Sequence, residues 1–383
     1  MKQNGSAHKS RLKENEQPLK TSTGNLGSGT EESMSDIDDM EIVLDQVHQA
    51  QSQGDFEVAE QILENKIREG GWKKAKLWWE LVALMKTPAD YQRIRRLWLD
   101  SPKSCRKRLS LLRAVARAAC VAGEYEEAKV ILRMAILFAA KKRRKQKKFF
   151  SGNKQRLQNI LPASSDKKKE EYDSFINRAP QALRDLNELL EEFEVKSFLI
   201  SGTLLGFLRD GGIISWDKDI DVGVFAEEVP HNLEELFRGE ENFSVRRIDF
   251  NSDRLRITHS NKVAIDIFPH YREGEVLWHD GTATRWWNTP FNLKKTNFLG
   301  AEQWIPDNPE LYLEENYGPW EVPDPYFDPR IDAPNVEVTD KEYFDALLYF
   351  SLLNSIVKNK QHMEKRYISL LYDLGETEWL QRL

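Results

Sequence analysis

The spacing of apolar residues divides the chain into a polar start, a helical first half and a mixed second half. Residues 1–35 are rich in Ser, Thr, Gly, Lys and Glu and have almost no large apolar side chains, which predicts a disordered tail. Between residues 36 and 150 the apolar positions recur with the period of amphipathic helices. Residues 151–174 lose this pattern and predict a basic linker.

A short aromatic motif recurs in the helical part. Phe56, Tyr91 and Tyr125 each follow an acidic residue, and they lie 35 and 34 residues apart. This period resembles that of the tetratricopeptide repeat. Such repeats would offer a surface to a protein partner and would carry no chemistry. A generic helical bundle with chance spacing is the alternative interpretation.

Strand patterns begin near residue 197, between two further stretches of helical periodicity. We therefore predict an α+β fold in which an all-α domain, 36–150, precedes a mixed sheet with flanking helices in a second domain, 175–335. The segment 336–383 shows apolar residues at helical spacing. It predicts C-terminal helices packed on that second domain.

Charge and composition restrict the classes of function. A net charge of −6 argues against a protein that coats nucleic acid, so no such partner is expected. The run Lys141–Lys148 nevertheless holds seven basic residues in eight. It predicts either a solvated helix end or peripheral contact with an anionic membrane.

Cysteine usage and hydropathy suggest the compartment. Cys105 and Cys120 are the two cysteines, and neither belongs to a CxxC pair, so a disulfide scaffold or a structural zinc site is not expected. No apolar run reaches the ~18 residues of a membrane span, and the first residues lack the apolar core of a signal peptide. The sequence predicts a cytoplasmic protein, with a peripheral position at the inner membrane face left open.

A strand, a tight turn and a helix follow one another at the start of the second domain. Ser197–Ile200 predicts a short buried strand that leads into Gly202 and Thr203. Gly202 permits a sharp turn and the close approach of a ligand. Thr203 is expected to cap a helix from Leu204, whose free N–H groups would favour phosphate. Arg209, further along, is expected to add a bidentate phosphate contact.

Three aspartates alternate in the next predicted strand, Ile213–Phe225. The spacing of Asp217, Asp219 and Asp221 places all three on one face of that strand. Like charges this close are costly unless a cation neutralises them, and Mg²⁺ prefers oxygen ligands. The pattern predicts a catalytic metal site with Mg²⁺, or Mn²⁺ as an alternative. A solvated acidic turn is the other interpretation.

A fourth carboxylate lies in an apolar run. Asp266 is the one polar residue of Val263–Phe268, and a lone acid in a buried strand needs a partner. If the two strands are neighbours, the metal site supplies that partner. Asp266 would then be either a metal ligand or a general base.

The same residues resemble a known family. Gly202-Thr203-Leu204-Leu205-Gly206, Arg209, Trp216-Asp217 and Asp219-Ile220-Asp221 look like the signature of the LicD family, which includes bacterial phosphocholine transferases and resembles fukutin and the fukutin-related protein. Asp266-Ile267-Phe268-Pro269 and the segment Leu313–Pro323 also look like that family. The resemblance covers roughly residues 175–330. Asp210, Ser215 and Lys218 depart from the family pattern, and Asp210 is expected to bear on substrate choice.

The resemblance implies a nucleotidyltransferase-like fold and a reaction. It implies transfer of a phospho-alcohol, such as phosphocholine or ribitol phosphate, from a CDP-activated donor to a glycan or glycolipid hydroxyl. The acceptor would be a cell-surface glycan of the capsule, lipopolysaccharide or teichoic-acid type. By match of motif, Asp217, Asp219 and Asp221 would carry the metal. Nucleotidyl transfer to a small alcohol, and a helical-repeat adaptor with an inactive transferase domain, are the alternatives.

Further candidates lie near these motifs. Arg254 and Arg256 are predicted to share a strand face and to contact the donor diphosphate or an acidic glycan, with ordinary surface charge as the alternative. His270 follows the Asp266 strand and is considered as a metal ligand, although buried or exposed histidines of no special role are commoner. Tryptophans are also concentrated here, and they suit either sugar stacking or core packing: Trp278, Trp286, Trp287, Trp304 and Trp320.

Overall fold

The computed structural model describes most of the chain after its first 33 residues. The described residues are 34–85, 87–151, 164–215, 217–230, 232–237, 239–247 and 253–383. The predicted disordered tail, half of the predicted linker and Trp216 of the metal-site motif therefore lie outside the described residues. Residues Val43–Leu383 form one compact unit, and the first 42 residues form another, of which only the beginning of one helix is described.

The N-terminal part is helical, as predicted. Its described helices are α1 (Met34–Ser52), α2 (Phe56–Arg68), α3 (Ala75–Ala83), α4 (Pro88–Asp100), α5 (Lys103–Arg106), α6 (Leu109–Val121) and α7 (Tyr125–Ser151). Helix α6 packs against α3, α4 and α7, which makes it the centre of this region. The assignment of these helices to tetratricopeptide repeats stays a prediction.

Local sequence explains the start of α4. Pro88 occupies its first turn, where a missing N–H costs nothing. The Thr87 N–H donates to Asp90 at 2.9 Å in a reciprocal capping box. Tyr91, the aromatic of the middle motif, is fully buried. The proline thus begins a helix at this position.

A ten-stranded mixed sheet forms the second part, which confirms the predicted α+β class. Its strands are β1 (Phe198–Leu199), β2 (Asp219–Phe225), β3 (Phe243–Arg247), β4 (Leu255–His259), β5 (Ala264–Glu273), β6 (Val276–Asp280), β7 (Thr284–Asn288), β8 (Leu293–Phe298), β9 (Ala301–Pro306) and β10 (Val336–Val338). The order is β10-β7-β6-β5-β2-β1-β9-β8, with β4 paired to β5 and β3 to β4. β2 runs parallel to β5, and β1 parallel to β9.

The strand β5 organises the sheet because it has partners along its whole length. Its first half pairs with β4, and its second half pairs with β6. Along its other edge it pairs with β2. One face of these strands packs into the core with α8 (Ser164–Glu191), through apolar residues such as Leu183, Leu186, Ile220, Val222, Ile265 and Ile267. The opposite face carries the charged residues of the site.

Helix α8 begins earlier than the sequence predicts. Residues 164–174 were expected to be linker because they carry few apolar side chains, but they form its first turns. Long-range contacts account for the difference. The Tyr172 hydroxyl donates to the carbonyl of Ile213 at 2.7 Å, and Phe175 is buried.

The remaining described helices follow β1 in the chain. They are α9 (Ser201–Asp210), α10 (Pro309–Tyr317), α11 (Pro329–Asp332), α12 (Lys341–Val357) and α13 (Gln361–Asp373). None of the described helices is both long enough and apolar enough to cross a lipid bilayer.

The two C-terminal helices contact both parts of the molecule. Arg143 on α7 donates two hydrogen bonds to Glu364 on α13, at 2.5 and 2.8 Å. On the other side, the Tyr367 hydroxyl donates to Asp328 at 2.7 Å, and Arg366 binds Asp332. These helices therefore join the helical region to the segment around α11, and their predicted packing on the sheet domain stays a prediction.

Candidate active site

Asp217 reaches the site from a turn, whereas the sequence places it in a strand. β2 begins at Asp219, and the Asp217 N–H donates to the Ile214 carbonyl at 2.9 Å in the preceding turn. The alternation argument therefore applies to Asp219 and Asp221 alone. The residues Ile213 and Ile214, which suggested an earlier strand, are buried in the turn region.

The absence of a side chain at Gly202 makes room for two carboxylates. A Cβ atom at Gly202 would lie 2.8 Å from Asp217 Oδ2 and 3.5 Å from Asp221 Oδ2. Both carboxylates thus converge on the first turn of α9, where the helix N–H groups point outward. Gly202 lies inside the helix and not in a turn before it, and the approach of the carboxylate oxygens requires a glycine at this position.

Thr203 has another role than the predicted helix cap. Helix α9 begins at Ser201, with Ile200 in the capping position. The Thr203 hydroxyl accepts a hydrogen bond from the N–H of Asp221 at 2.8 Å, and its side chain is buried. Thr203 therefore fixes the backbone of the strand that carries Asp221. The sequence shows a hydroxyl group near the start of a helix, but it does not show that β2 lies beside that helix.

Ser201 takes a conformation that is unusual for a residue with a side chain. Its φ is 48°, in the left-handed region. Such backbone strain is concentrated at functional sites. Ser201 also lines the cleft described below. No sequence pattern signalled this residue.

Asp266 lies beside the aspartate pair, as predicted, but an arginine supplies its partner. In the sheet register Asp221 is opposite Asp266, and Asp266 is opposite Arg256. Arg256 donates to both oxygens of Asp266, at 2.5 and 2.7 Å, and to Asp219 at 2.5 Å. Asp266 is buried. Arg256 thus joins two carboxylates that the sequence assigned to the metal site.

The carboxylates raise one another's pKa values. Burial, followed by a hydrogen bond with Asp219 and its charge, raises the pKa of Asp217 to about 7. Burial, and then the charges of Asp219, Asp266 and Asp217, raises the pKa of Asp221 well above its usual range. This concentration of negative charge favours a bound cation.

The charge and geometry fit a magnesium ion held by two protein carboxylates. Among the described residues, no three His, Cys, Asp or Glu side chains are arranged to hold a metal ion, and Asp219 binds Arg256. Asp217 and Asp221 do converge near Gly202. Mg²⁺ is commonly bound by one or two carboxylates together with substrate phosphates. Asp217 and Asp221 therefore suit a magnesium ion that substrate phosphates also coordinate better than one whose ligands all come from the protein.

Arg254 immediately precedes β4, which begins at Leu255, so only Arg256 of the predicted pair lies in the strand. The guanidinium carbon of Arg254 lies 5.4 Å from the centroid of the Phe268 ring. Burial lowers the pKa of Arg254, while the charge of Asp266 acts in the opposite direction. The side chains of Arg246 and Arg247 lie outside the described residues.

Arg209 and Asp210 form an ion pair at the end of α9. The Arg209 guanidinium donates two hydrogen bonds to Asp210, both at 2.9 Å. This pairing lowers the pKa of Asp210. Arg209 lines the cleft, so the pair fixes a guanidinium at its wall. Lys218 points elsewhere, since its ammonium group binds Glu171 at 2.8 Å.

A cleft of about 930 Å³ opens over the carboxylates. One side carries Gly202, Arg209, Asp217, Asp221, Arg254 and Asp266. The opposite wall is rich in aromatic and proline residues, among them Tyr317, Trp320, Pro323, Tyr326 and Phe327. Burial and the charge of Asp221 raise the pKa of Tyr317, which keeps its hydroxyl protonated. Most residues of this wall lie in Leu313–Pro323, the last segment that resembles the LicD family, or just after it.

The tryptophans belong to separate places. Trp286 and Trp320 line the cleft. Trp278 and Trp287 instead enclose Arg285, whose guanidinium carbon lies 3.6 and 5.5 Å from their ring centroids. Trp304 packs with two lysines at another edge of the sheet.

His270 and His279, two of the buried histidines, have different positions relative to the cleft. His270 is fully buried, and its Nδ1 lies 2.9 Å from the Phe268 carbonyl oxygen. Burial lowers the pKa of His270 to about 4. His279 lines the cleft and packs against His270, with ring centroids 4.7 Å apart and the ring planes tilted by 41°. The structure thus brings His279, which the sequence did not single out, to the cleft.

Similarity to known proteins covers the segment that carries these carboxylates. Residues 194–308 match the sequence model described as LicD/FKTN/FKRP, nucleotidyltransferase domain. The matched segment includes all four site aspartates.

Named transferases are among the similar proteins. The chain is 30% identical over 172 residues to ribitol-5-phosphate transferase FKTN of Mus musculus, a match of 43% of this chain and 37% of that protein. It is 30% identical over 170 residues to ribitol 5-phosphate transferase FKRP of Homo sapiens, covering 39% and 34% of the two chains. An uncharacterized protein of Rickettsia typhi is 30% identical over 153 residues, covering 37% and 46%. The chain thus spans little more than a third of either named transferase.

Proposed function

We propose that this protein transfers a phospho-alcohol from a CDP-activated donor to a hydroxyl group of a glycan. The observation that carries the proposal is the convergence of Asp217 and Asp221 on Gly202, at the floor of a cleft of about 930 Å³. These residues lie in the segment similar to ribitol phosphate transferases. Ribitol phosphate and phosphocholine are the first donor alcohols to test.

The proposed reaction is an in-line displacement at phosphorus. The acceptor oxygen forms a bond to the phosphorus that carries the alcohol, and the hydroxyl proton passes to water. The bond between that phosphorus and the bridging oxygen of the donor diphosphate breaks, and CMP leaves with the bridging oxygen. Mg²⁺, or Mn²⁺ in its place, held by Asp217 and Asp221, would supply neutralisation of the charge on the donor phosphates. The outward N–H groups at the start of α9 and the guanidinium of Arg209 would position those phosphates.

Asp266 is assigned a positioning role. Both of its oxygens accept hydrogen bonds from Arg256, which also holds Asp219. A carboxylate engaged in this way is a poor general base, because both of its oxygens already accept hydrogen bonds from Arg256 and neither is directed at a substrate hydroxyl. Asp266 therefore acts through Arg256 to orient Asp219 beside the pair.

The aromatic wall of the cleft suits the remaining parts of the substrates. Trp320 and Tyr326 offer flat faces that can stack on a pyrimidine or a sugar ring. Such a wall contributes binding without charge, and it lies opposite the phosphate-binding side. The donor and the acceptor would both be held between the two sides.

The decisive experiment is incubation of the full chain with a panel of CDP-alcohols, Mg²⁺ and glycan acceptors, with product analysis. We expect CMP release with one or a few donors, dependent on divalent cation. An Asp221→Asn variant should lose this release, while Glu302→Gln, at an exposed ion pair, should keep it. Pyrophosphate as the product would instead establish nucleotidyl transfer. No turnover and no binding of nucleotide would favour an adaptor.

A further inference from the structure

The exposed face of α7 carries an apolar row that continues into a basic one. Val130 and Met134 are 50% and 36% exposed, and Lys141 and Lys145 are exposed further along the helix. At 3.6 residues per turn, these four side chains fall within about 60° of one another around the helix axis and along about 22 Å of its length. Lys142, which is also exposed, lies beside the row. We call these five residues the α7 face.

The basic run at the end of α7 is divided between two directions. Arg143 donates two hydrogen bonds to Glu364 on α13, and Arg144 donates to the backbone carbonyl of Arg382 at 3.1 Å. Those two guanidinium groups are therefore engaged with the C-terminal segment. The three lysines of the α7 face have no ion-pair partner among the described residues. The side chains of residues 147–150 lie outside the described residues.

The other side of α7 is committed to the core. Ala128, Leu132, Ala135 and Ile136 are buried, and α7 packs against α6 and α12. The helix is thus held in place by the side opposite to the α7 face. Single exposed apolar residues are common on protein surfaces, but an apolar row that leads into unpaired lysines along one helix face is typical of helices that lie at a membrane interface.

Charge distinguishes the class of surface that the α7 face fits. The whole chain has a net charge of −6, so its overall charge opposes contact with an anionic surface. Such a contact depends on a local excess of positive charge, and the lysines of the α7 face provide one. A lysine ammonium group on its long stem reaches anionic headgroups while neighbouring apolar side chains enter the boundary of the acyl chains. A nucleic acid would contact the lysines but would leave the apolar row in water.

We propose that the α7 face binds the surface of a bilayer that contains anionic lipids. Val130 and Met134 lie against the acyl boundary, and the three lysines contact the headgroups. This inference goes beyond the proposed function and does not depend on it, because none of the described residues that line the cleft belongs to α7.

The first test measures co-sedimentation of the full chain with vesicles of phosphatidylcholine, alone or mixed with phosphatidylserine. We expect binding to the mixed vesicles only. The variant Lys141→Gln/Lys142→Gln/Lys145→Gln should lower the partition constant about a hundredfold, since each lysine near an anionic surface contributes about fivefold.

A matched control removes the same charge elsewhere. Lys196→Gln/Lys262→Gln/Lys294→Gln changes three exposed lysines of the sheet domain and should bind as the wild type does. With all proteins folded by circular dichroism, equal binding of the wild type and the α7 variant would overturn the proposal. So would an equal loss in the two triple variants, or no binding of the wild type to either kind of vesicle.

The second test asks whether the apolar row also contributes. Val130→Gln/Met134→Gln should lower the partition constant about tenfold, because the apolar side chains no longer enter the acyl boundary. Raised salt should reduce the effect of the lysine substitutions and leave this effect in place. Val58→Gln/Leu99→Gln, at apolar positions of similar exposure on α2 and α4, should bind as the wild type does.

A single-stranded DNA oligonucleotide separates a membrane from a nucleic-acid partner. We expect Val130→Gln/Met134→Gln to weaken binding to vesicles, because the bilayer contacts the apolar row. If that variant left vesicle binding unchanged while the lysine variant abolished oligonucleotide binding, the α7 face would be assigned to a nucleic acid and the proposal would be wrong.

Discussion

The Arg256 guanidinium binds both oxygens of Asp266, its direct neighbour in the sheet, at 2.5 and 2.7 Å. The same guanidinium reaches Asp219 on the strand beyond, at 2.5 Å. This bridge fixes three charged side chains across β4, β5 and β2. It places a positive charge at the border of an acidic site and leaves Asp217 and Asp221 as the pair that faces the cleft.

Loss of Arg256 should destabilise the fold because Asp266 would remain buried without its partner. We expect Arg256→Met to lower the free energy of unfolding by about 3 kcal/mol, the low end for a buried pair since Arg256 is partly exposed. Arg256→Met/Asp266→Asn should recover part of this loss. Urea denaturation measures both, and Arg272→Met, at a weak exposed pair, is the control. If the changes in the free energy of unfolding for the two single substitutions simply added up in the double variant, the coupling between Arg256 and Asp266 would be contradicted.

Neutralising Asp221 should separate activity from stability. The pKa of Asp221 is raised in the folded state, so its ionised form opposes folding above the unfolded pKa. Asp221→Asn should therefore raise the free energy of unfolding at pH 7 while it lowers CMP release about a hundredfold or more. Thermal melts and product analysis on the same sample check this. Near-normal transfer would show that the cation-binding role is wrong.

A methyl group at Gly202 should displace Asp217. The new Cβ would lie 2.8 Å from Asp217 Oδ2, closer than such contacts allow. We expect Gly202→Ala to lower turnover about tenfold or more, since small misplacements at a site have large effects on rate. Gly212→Ala is the matched control, because a Cβ there meets nothing within 4 Å. Equal activity of the two variants would contradict the crowding at Gly202.

Burial of His270 should make stability fall in mild acid. Its pKa is about 4 in the folded state, below the ordinary value of 6.5. The unfolded chain therefore binds a proton first, and stability decreases as the pH falls from about 6.5 to about 4. Compared with His270→Gln, the wild type should lose about 3 kcal/mol more over this range. His362→Gln, at an exposed position, should show the wild-type slope in urea titrations at successive pH values.

The sequence predicted those parts of the site that depend on local pattern. Alternation placed Asp219 and Asp221 on one strand face, and the isolated acid in an apolar run placed Asp266 beside them, where the register confirms it. The sequence predicts too early a start for β2, because buried apolar residues such as Ile213 and Ile214 occur both in strands and in buried turns. Asp217 therefore approaches from a turn.

Contacts between distant segments could not be derived from pattern. Nothing in the spacing of Arg256 shows that it binds Asp266, because an arginine on a strand face is equally consistent with solvent exposure. Thr203 was expected at a helix cap, the commonest role of a hydroxyl at that position. The neighbouring strand offers the Asp221 N–H, and that tertiary hydrogen bond decides its role.

The last helices of the chain brace the aromatic wall of the cleft. Tyr367 and Arg366 on α13 hold Asp328 and Asp332, which follow the wall residues Tyr326 and Phe327 in the chain. The cleft is thus assembled from residues 194–308 together with residues that follow them. A fragment trimmed to 194–308 would keep the four aspartates and lack one side of the substrate channel. Any catalytic unit cut from this protein therefore needs the wall beyond residue 308 and the helix α13 that holds it.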